Sequence, residues 1–163
     1  MAILALFAAL SFGIYAAEVF IPNPIPIPGI KLGLSNIIIL VVLRRYGVKD
    51  ASLVLIVRLI LSCLLFGSLL SLLYSAVGGV ICLLVEALIN RILNGRAIFV
   101  TAAFGALFHN AGQLAVAIAV TRSPGVLLYA PYLAVAGIIT GLITGLCAFF
   151  ILRKLPKLER TAG

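Results

Sequence analysis

The chain has 163 residues, of which 64% are hydrophobic and only 10% charged, and its mean hydropathy is +1.33. Soluble domains carry roughly 25% charged residues and still leave about 30% of their chain surface in water at this size, so lipid has to be the solvent here. The net charge of +8 collects at the ends of apolar runs and forms no basic face, which excludes a nucleic-acid surface and points to a multi-pass protein of an inner or plasma membrane.

Nine of the twelve basic residues form three clusters: Arg44, Arg45 and Lys49; Arg91 and Arg96; and Arg153, Lys154, Lys157 and Arg160. They stand at every second break in the hydrophobic runs. Lys and Arg accumulate on cytoplasmic loops, so this period predicts paired spans with both termini cytoplasmic. The expected architecture is an all-α integral membrane domain over residues 1–163, with six transmembrane helices.

The first span is expected at about 1–20. It has no Lys or Arg in an n-region, so it reads as a retained span and not a cleaved signal peptide. Ala5, Ala9, Gly13 and Ala17 stand four apart along it, and rows of small residues let helices approach closely in lipid. Each four-residue step turns about 40°, so Ala5, Ala9 and Gly13 suit one narrow partner better than the full row does. That partner is either this chain's own bundle or another membrane subunit. PNPIPIPG follows, with proline at 22, 24, 26 and 28, a pattern that cannot continue a helix and favours a stiff, extended loop.

The second span, about 30–43, is short and ends at RRYGVKD. The third, 51–70, is followed by an expected turn around 71–79, and the fourth, 76–93, closes on NGR. The fifth, 97–120, breaks at TRSPG, and the sixth, 127–152, carries Gly137, Gly141 and Gly145 four apart. Lys31 and Arg122 fall on outer loops. No loop is long enough to house a soluble catalytic module. Cys63, Cys82 and Cys147 lie within apolar runs without metal spacing, so no metal or cofactor is expected.

Charges inside a bilayer cost about 2.5–3.5 kcal/mol each on insertion scales, so each needs a reason. Arg58 and Glu86 both fall about 12 Å from the cytoplasmic boundary, counting eight residues at 1.5 Å each. They read either as an ion pair fixing the bundle or as a substrate or coupling site. The fifth span carries FHNAGQ: His109 and Gln113 are four apart on one face, and Asn110 adjoins them. Interhelical hydrogen bonding and the lining of a ligand cavity both explain this group. Glu18, Lys31 and Asn36 gather near the outer ends of the first two spans, where Glu18 and Lys31 read equally well as interfacial charges. Together these residues outline a pocket open to the outside, roofed by the proline strip and suited to a small amphipathic anion.

PGIKLGLSN, RLILSCLLFGSLLSLLYSAVGG, and FHNAGQL with its SPG turn resemble the Gx transporter family, also named heptaprenyl diphosphate synthase component I. That family in turn resembles the substrate-binding S-components of energy-coupling-factor transporters. The likeness runs from about 18 to 152. It implies a six-helix S-component fold in which residues 21–30 close over the solute. It also implies that Ala5, Ala9 and Gly13 dock on a membrane coupling subunit served by two ATPases. Members of the family carry a cytoplasmic stretch before the first span and often alanine where Ser35 stands; this chain opens directly in the helix.

No G-x-x-x-x-G-K-[ST] loop is present, so ATP hydrolysis in the Walker manner falls to partners. Prenyl elongation needs clustered carboxylates to hold Mg²⁺, and Asp50 is the single aspartate, with glutamates dispersed at 18, 86 and 159. The expectation is a non-enzymatic solute-binding subunit. Lys31 or Arg58 would offset an anionic group, and Asn36, His109, Asn110 and Gln113 would hydrogen-bond. The solute would be an isoprenoid or quinone precursor, or a vitamin-like compound. The alternative is a non-catalytic membrane scaffold or component of a prenyl diphosphate synthase.

Overall fold

The computed structural model describes residues 2–20, 31–66 and 69–155. The proline strip and the basic residues Lys157 and Arg160 lie outside them. Among the described residues there are six α-helices: α1 (Ala2–Val19), α2 (Asn36–Arg45), α3 (Val48–Phe66), α4 (Leu69–Ile92), α5 (Ile98–Thr121) and α6 (Ala130–Lys154). A 3-10 helix, Pro124–Tyr129, leads into α6. Four segments are long and apolar enough to cross a membrane: α1, α4, α5, and the 3-10 helix continued by α6.

Solvent preference is inverted relative to a soluble protein. Leu6, Leu64, Leu84 and Leu128 face outward, while Glu18, Arg58, Glu86, His109 and Gln113 are buried. A leucine surface around a polar interior costs nothing in hydrocarbon and a great deal in water. The chain is a multi-pass membrane protein.

The helices neighbour one another in the order α1, α3, α4, α5, α6, and α2 sits inside this curl against α1, α3, α4 and α6. α2 runs NIIILVVLRR and is apolar on every side ahead of its two arginines, which is the pattern of a helix with no outward face. Every residue from 36 to 43 is buried. Arg44 and Arg45 close its last turn, where cations favour the helix dipole. Gly47, at φ +102°, then donates its N–H to the Val42 and Leu43 carbonyls and reverses the chain into α3.

At ten residues α2 is about 15 Å long, half of a ~30 Å hydrocarbon core. Residues 31–35 lead into it without regular helix. Irregular backbone at membrane depth survives only when protein satisfies it. The expected span at 30–43 is therefore a half-helix, Asn36–Arg45, entered through a non-helical segment.

The expected turn around 71–79 is not a turn: α4 runs unbroken from Leu69 through it. Gly78 and Gly79 serve packing instead. A Cβ on Gly79 would stand 3.0 Å from Leu55 Cδ1 and 3.2 Å from an Arg58 guanidinium nitrogen. The glycine row of α6 also packs inside the bundle. Added Cβ atoms on Gly137, Gly141 and Gly145 would meet the α5 backbone at Leu107, Ala103 and Phe99. The row on α1 does the opposite: Ala5, Ala9 and Gly13 are exposed, and nothing lies within 4 Å of a Cβ placed on Gly13.

Candidate functional site

The polar groups of α1, α3 and α5 converge on the broken start of α2. Glu18 Oε1 accepts the Gly33 N–H at 2.6 Å, Gln113 Oε1 accepts the Lys31 N–H at 3.3 Å, and Ser11 donates to the Ser35 carbonyl at 3.2 Å. Three side chains from two helices thus satisfy the backbone that helix formation leaves open. The first role of Glu18 and Gln113 is to hold residues 31–35 in place.

Arg58 reaches the same point from α3. Its Nη1 donates to Ser35 Oγ and, at 3.3 Å, to Asn36 Oδ1. Among the described residues its Nε and Nη2 have no hydrogen-bond partner, although the residue is only 2% exposed. Glu18 is the carboxylate whose charge acts on it, and Glu18 Oε2 likewise has no partner among the described residues. The expected Arg58–Glu86 ion pair does not form. Arg58 packs beside Gly79 of α4, whereas Glu86 lies seven residues farther along that helix and turns toward α5, where Gly105 opens the space for it: a Cβ there would fall 2.5 Å from Glu86 Cγ. One Glu86 oxygen, Oε2, also lacks a partner.

His109 is clamped between two glycines. Cβ atoms would stand 3.0 Å from its Cδ2 and Nε2 if placed on Gly33, and 2.9 Å from its Cε1 and Nδ1 if placed on Gly78. Gly33 is at φ +79°, a region open to glycine, so this position is fixed both by backbone and by the ring. Asn36 Nδ2 lies 3.3 Å from His109 Nδ1, and Gln113 Nε2 lies 3.0 Å from Nε2. Each amide nitrogen only donates, and a neutral imidazole has one bare nitrogen, so the tautomer decides which of the two bonds the ring accepts.

Lys31 folds inward from the position expected of an outer loop. Its Nζ stands 3.6 Å from the centroid of the Tyr15 ring, and the Arg58 guanidinium carbon lies 6.0 Å from the same centroid. An aromatic face between two cations attracts both through its quadrupole. Tyr15 in turn shares a 3.2 Å hydrogen bond with Ser71.

Of the residues singled out from sequence, Glu18, Lys31, Asn36, Arg58, His109 and Gln113 form one connected group. Asn110 does not join it. Its Nδ2 donates to the Leu133 carbonyl at 2.8 Å and rests against Gly137, so it ties α5 to α6. One residue of helix rotation, about 100°, separates it from His109. Sequence reasoning missed Ser11, Tyr15 and Ser35. A signal existed for two of them: Ser11, Tyr15 and Glu18 recur at helical spacing on the face of α1 away from Ala5, Ala9 and Gly13.

The arrangement offers a cation with open donors and a carboxylate with an open acceptor, beside amides and an aromatic face. Such a set recognises and holds a polar molecule. The family model for heptaprenyl diphosphate synthase component I matches residues 7–151, and the chain belongs to that family. No curated protein and no solved structure matches the chain.

Proposed function

We propose that this member of the heptaprenyl diphosphate synthase component I family is the membrane-embedded solute-binding subunit of an uptake transporter of the energy-coupling-factor type. The observation that carries this reading is Arg58. It is a buried guanidinium whose Nε and Nη2 meet no partner among the described residues, placed at the N-terminus of a half-length helix inside the bundle. Discontinuous helices whose N-termini point inward are a recurring way for membrane transporters to hold anionic groups. Glu18 offers one negative charge to two cations, Lys31 and Arg58, and a ligand anion would balance the excess on binding.

In this reading the six helices form an S-component-like bundle with cytoplasmic termini, and α3 crosses despite its charges because Arg58 faces inward. The solute is a small amphipathic anion, an isoprenoid or quinone precursor or a vitamin-like compound. Arg58 and Lys31 meet its charge, with Asn36, His109 and Gln113 as hydrogen-bonding neighbours. The chain is not an enzyme and carries no cofactor. Energy comes from two ATPases acting through a membrane coupling subunit. The exposed row Ala5, Ala9 and Gly13 supports docking on that subunit, since none of the described helices covers it.

A second reading, a non-catalytic membrane component of a prenyl diphosphate synthase, is favoured by the family's name. Purification of the tagged protein from native membranes in mild detergent, with mass spectrometry of proteins and small molecules, separates the two. Two ATPases, a membrane subunit and a co-purified anion lost in Arg58→Gln are the expected result. A soluble prenyl synthase recovered without ATPases would overturn it in favour of the second reading.

A further inference from the structure

The opposite end of the bundle carries a second concave site. A groove of about 540 Å³ is bounded by Arg44 from the end of α2, Arg96 ahead of α5, and Arg153 from the end of α6. Its apolar walls include Phe99, Phe149 and Leu152. The described lining contains three guanidinium groups and no acidic side chain. Three like charges around one cavity make it attractive to an anion, which would relieve their mutual repulsion.

The three arginines are not equivalent. Arg44 is fixed: it donates to Asn90 Oδ1 at 2.5 Å and to the Gly95 carbonyl, which aims the guanidinium from a rigid base. Arg96 and Arg153 are exposed, and among the described residues their side chains make no hydrogen bond. Arg153 lies over the Phe149 ring, 5.4 Å from its centroid. Phe99 is 39% exposed, so the aromatic wall continues from the groove to the outer surface of the bundle. A ligand seated here has its head among guanidiniums and its tail on aromatic rings that lead into lipid.

From this geometry we infer that the groove lined by Arg44, Arg96, Arg153, Phe99 and Phe149 binds a phosphate-headed amphiphile at the basic end of the bundle. Guanidinium forks match phosphate oxygens in pairs, and basic pockets between helix ends on the cytoplasmic side are where anionic lipid headgroups bind. The volume takes a headgroup and the first carbons of a tail, with the remainder of the tail lying in the bilayer. Two sources share this chemistry, an anionic phospholipid of the surrounding leaflet and a prenyl diphosphate. The inference is independent of the solute reading, because no residue of the groove touches the Arg58 cluster.

The test is native mass spectrometry of the full-length protein in detergent, titrated with dioleoylphosphatidylglycerol, dioleoylphosphatidylcholine, farnesyl diphosphate and inorganic diphosphate. The variants are Arg96→Gln/Arg153→Gln and a control with equal charge loss outside the groove, Lys49→Gln/Arg91→Gln. All four positions are exposed, and each double variant is compared with wild type at matched yield and thermal midpoint. We expect at least one of the two anionic amphiphiles to bind the wild type. The groove variant should lose about ten-fold or more in affinity for it, as for the loss of one charge-assisted hydrogen bond, and the control far less. The tighter of the two names the source. Phe149→Ala should weaken the amphiphile and leave inorganic diphosphate unchanged. Equal losses in the two double variants would overturn the site in favour of diffuse surface charge. Inorganic diphosphate binding as tightly as farnesyl diphosphate, with phosphatidylcholine matching phosphatidylglycerol, would overturn the amphiphile.

Discussion

A Cβ on Gly78 would stand 2.9 Å from Cε1 and Nδ1 of His109, so the imidazole fills the space that any larger residue at position 78 needs. The same Cβ would lie 3.0 Å from the His109 carbonyl oxygen, and backbone cannot swing aside as a flexible side chain can. α4 and α5 are held at this separation by the absence of one methyl group.

Gly78→Ala should therefore lower the thermal midpoint of the purified protein, with a loss on the order of 1–3 kcal/mol typical of overpacking. Gly13→Ala is the control, since nothing lies within 4 Å of its added Cβ and alanine favours helix. Equal midpoints for the two variants would show that the His109 clamp does not constrain the bundle.

The pair Gly105 and Glu86 makes a coupled prediction. A Cβ on Gly105 meets Glu86 Cγ at 2.5 Å, Oε1 at 2.6 Å and Cδ at 2.9 Å. Gly105→Ala alone should destabilise strongly, and Glu86→Ala should relieve much of that loss by vacating the space. Residues in contact show coupling of about 0.5–3 kcal/mol in double-mutant cycles. Additive losses, measured by denaturant or thermal unfolding in detergent, would place Glu86 elsewhere than against Gly105.

The long helices were legible because an apolar run of about 20 residues has one economical fate in lipid. Rotation about the axis was not. α3 turns Arg58 toward Ser35 on α2, whereas α4 turns Glu86 toward Gly105 on α5, and no local residue pattern separates these from a facing pair. Gly78 and Gly79 misled for a related reason. Two glycines among serines signal a turn in water, but in a membrane helix they mark where a neighbouring side chain must come close. Six of the eight singled-out polar residues were brought together; Glu86 packs against Gly105, and Asn110 was set apart by a single residue's rotation toward Leu133.

The small-residue rows of α1 and α6 look alike in sequence and should respond oppositely to leucine. Gly141→Leu drives a side chain into α5, where even a Cβ would lie 2.6 Å from Ala103 Cα, so expression and thermal midpoint should both collapse. Ala9→Leu projects into lipid and should leave the isolated protein as stable as the wild type. Under the transporter reading it should also abolish co-purification of the coupling subunit and solute uptake while leaving solute binding intact. Uptake unchanged in Ala9→Leu would remove α1 as the docking face.

The sharpest division between a structural and a binding role falls on Arg58→Lys. Lysine keeps the charge at the start of α2 and has donors enough for Ser35 and Asn36, which Arg58 Nη1 now serves. It lacks the planar fork that leaves Nε and Nη2 directed away from those two residues. If Arg58 only fastened α3 to α2, the lysine variant would fold and function nearly as the wild type does. If its open N–H groups grip an anion, the variant should fold yet lose about ten- to a hundred-fold in solute affinity, the weight of one charge-assisted hydrogen bond. The measurement is retention of the co-purified small molecule at matched protein yield, beside Arg58→Gln, which removes the charge as well. Retention by both variants would assign Arg58 to the fold and move the search for the solute to other residues.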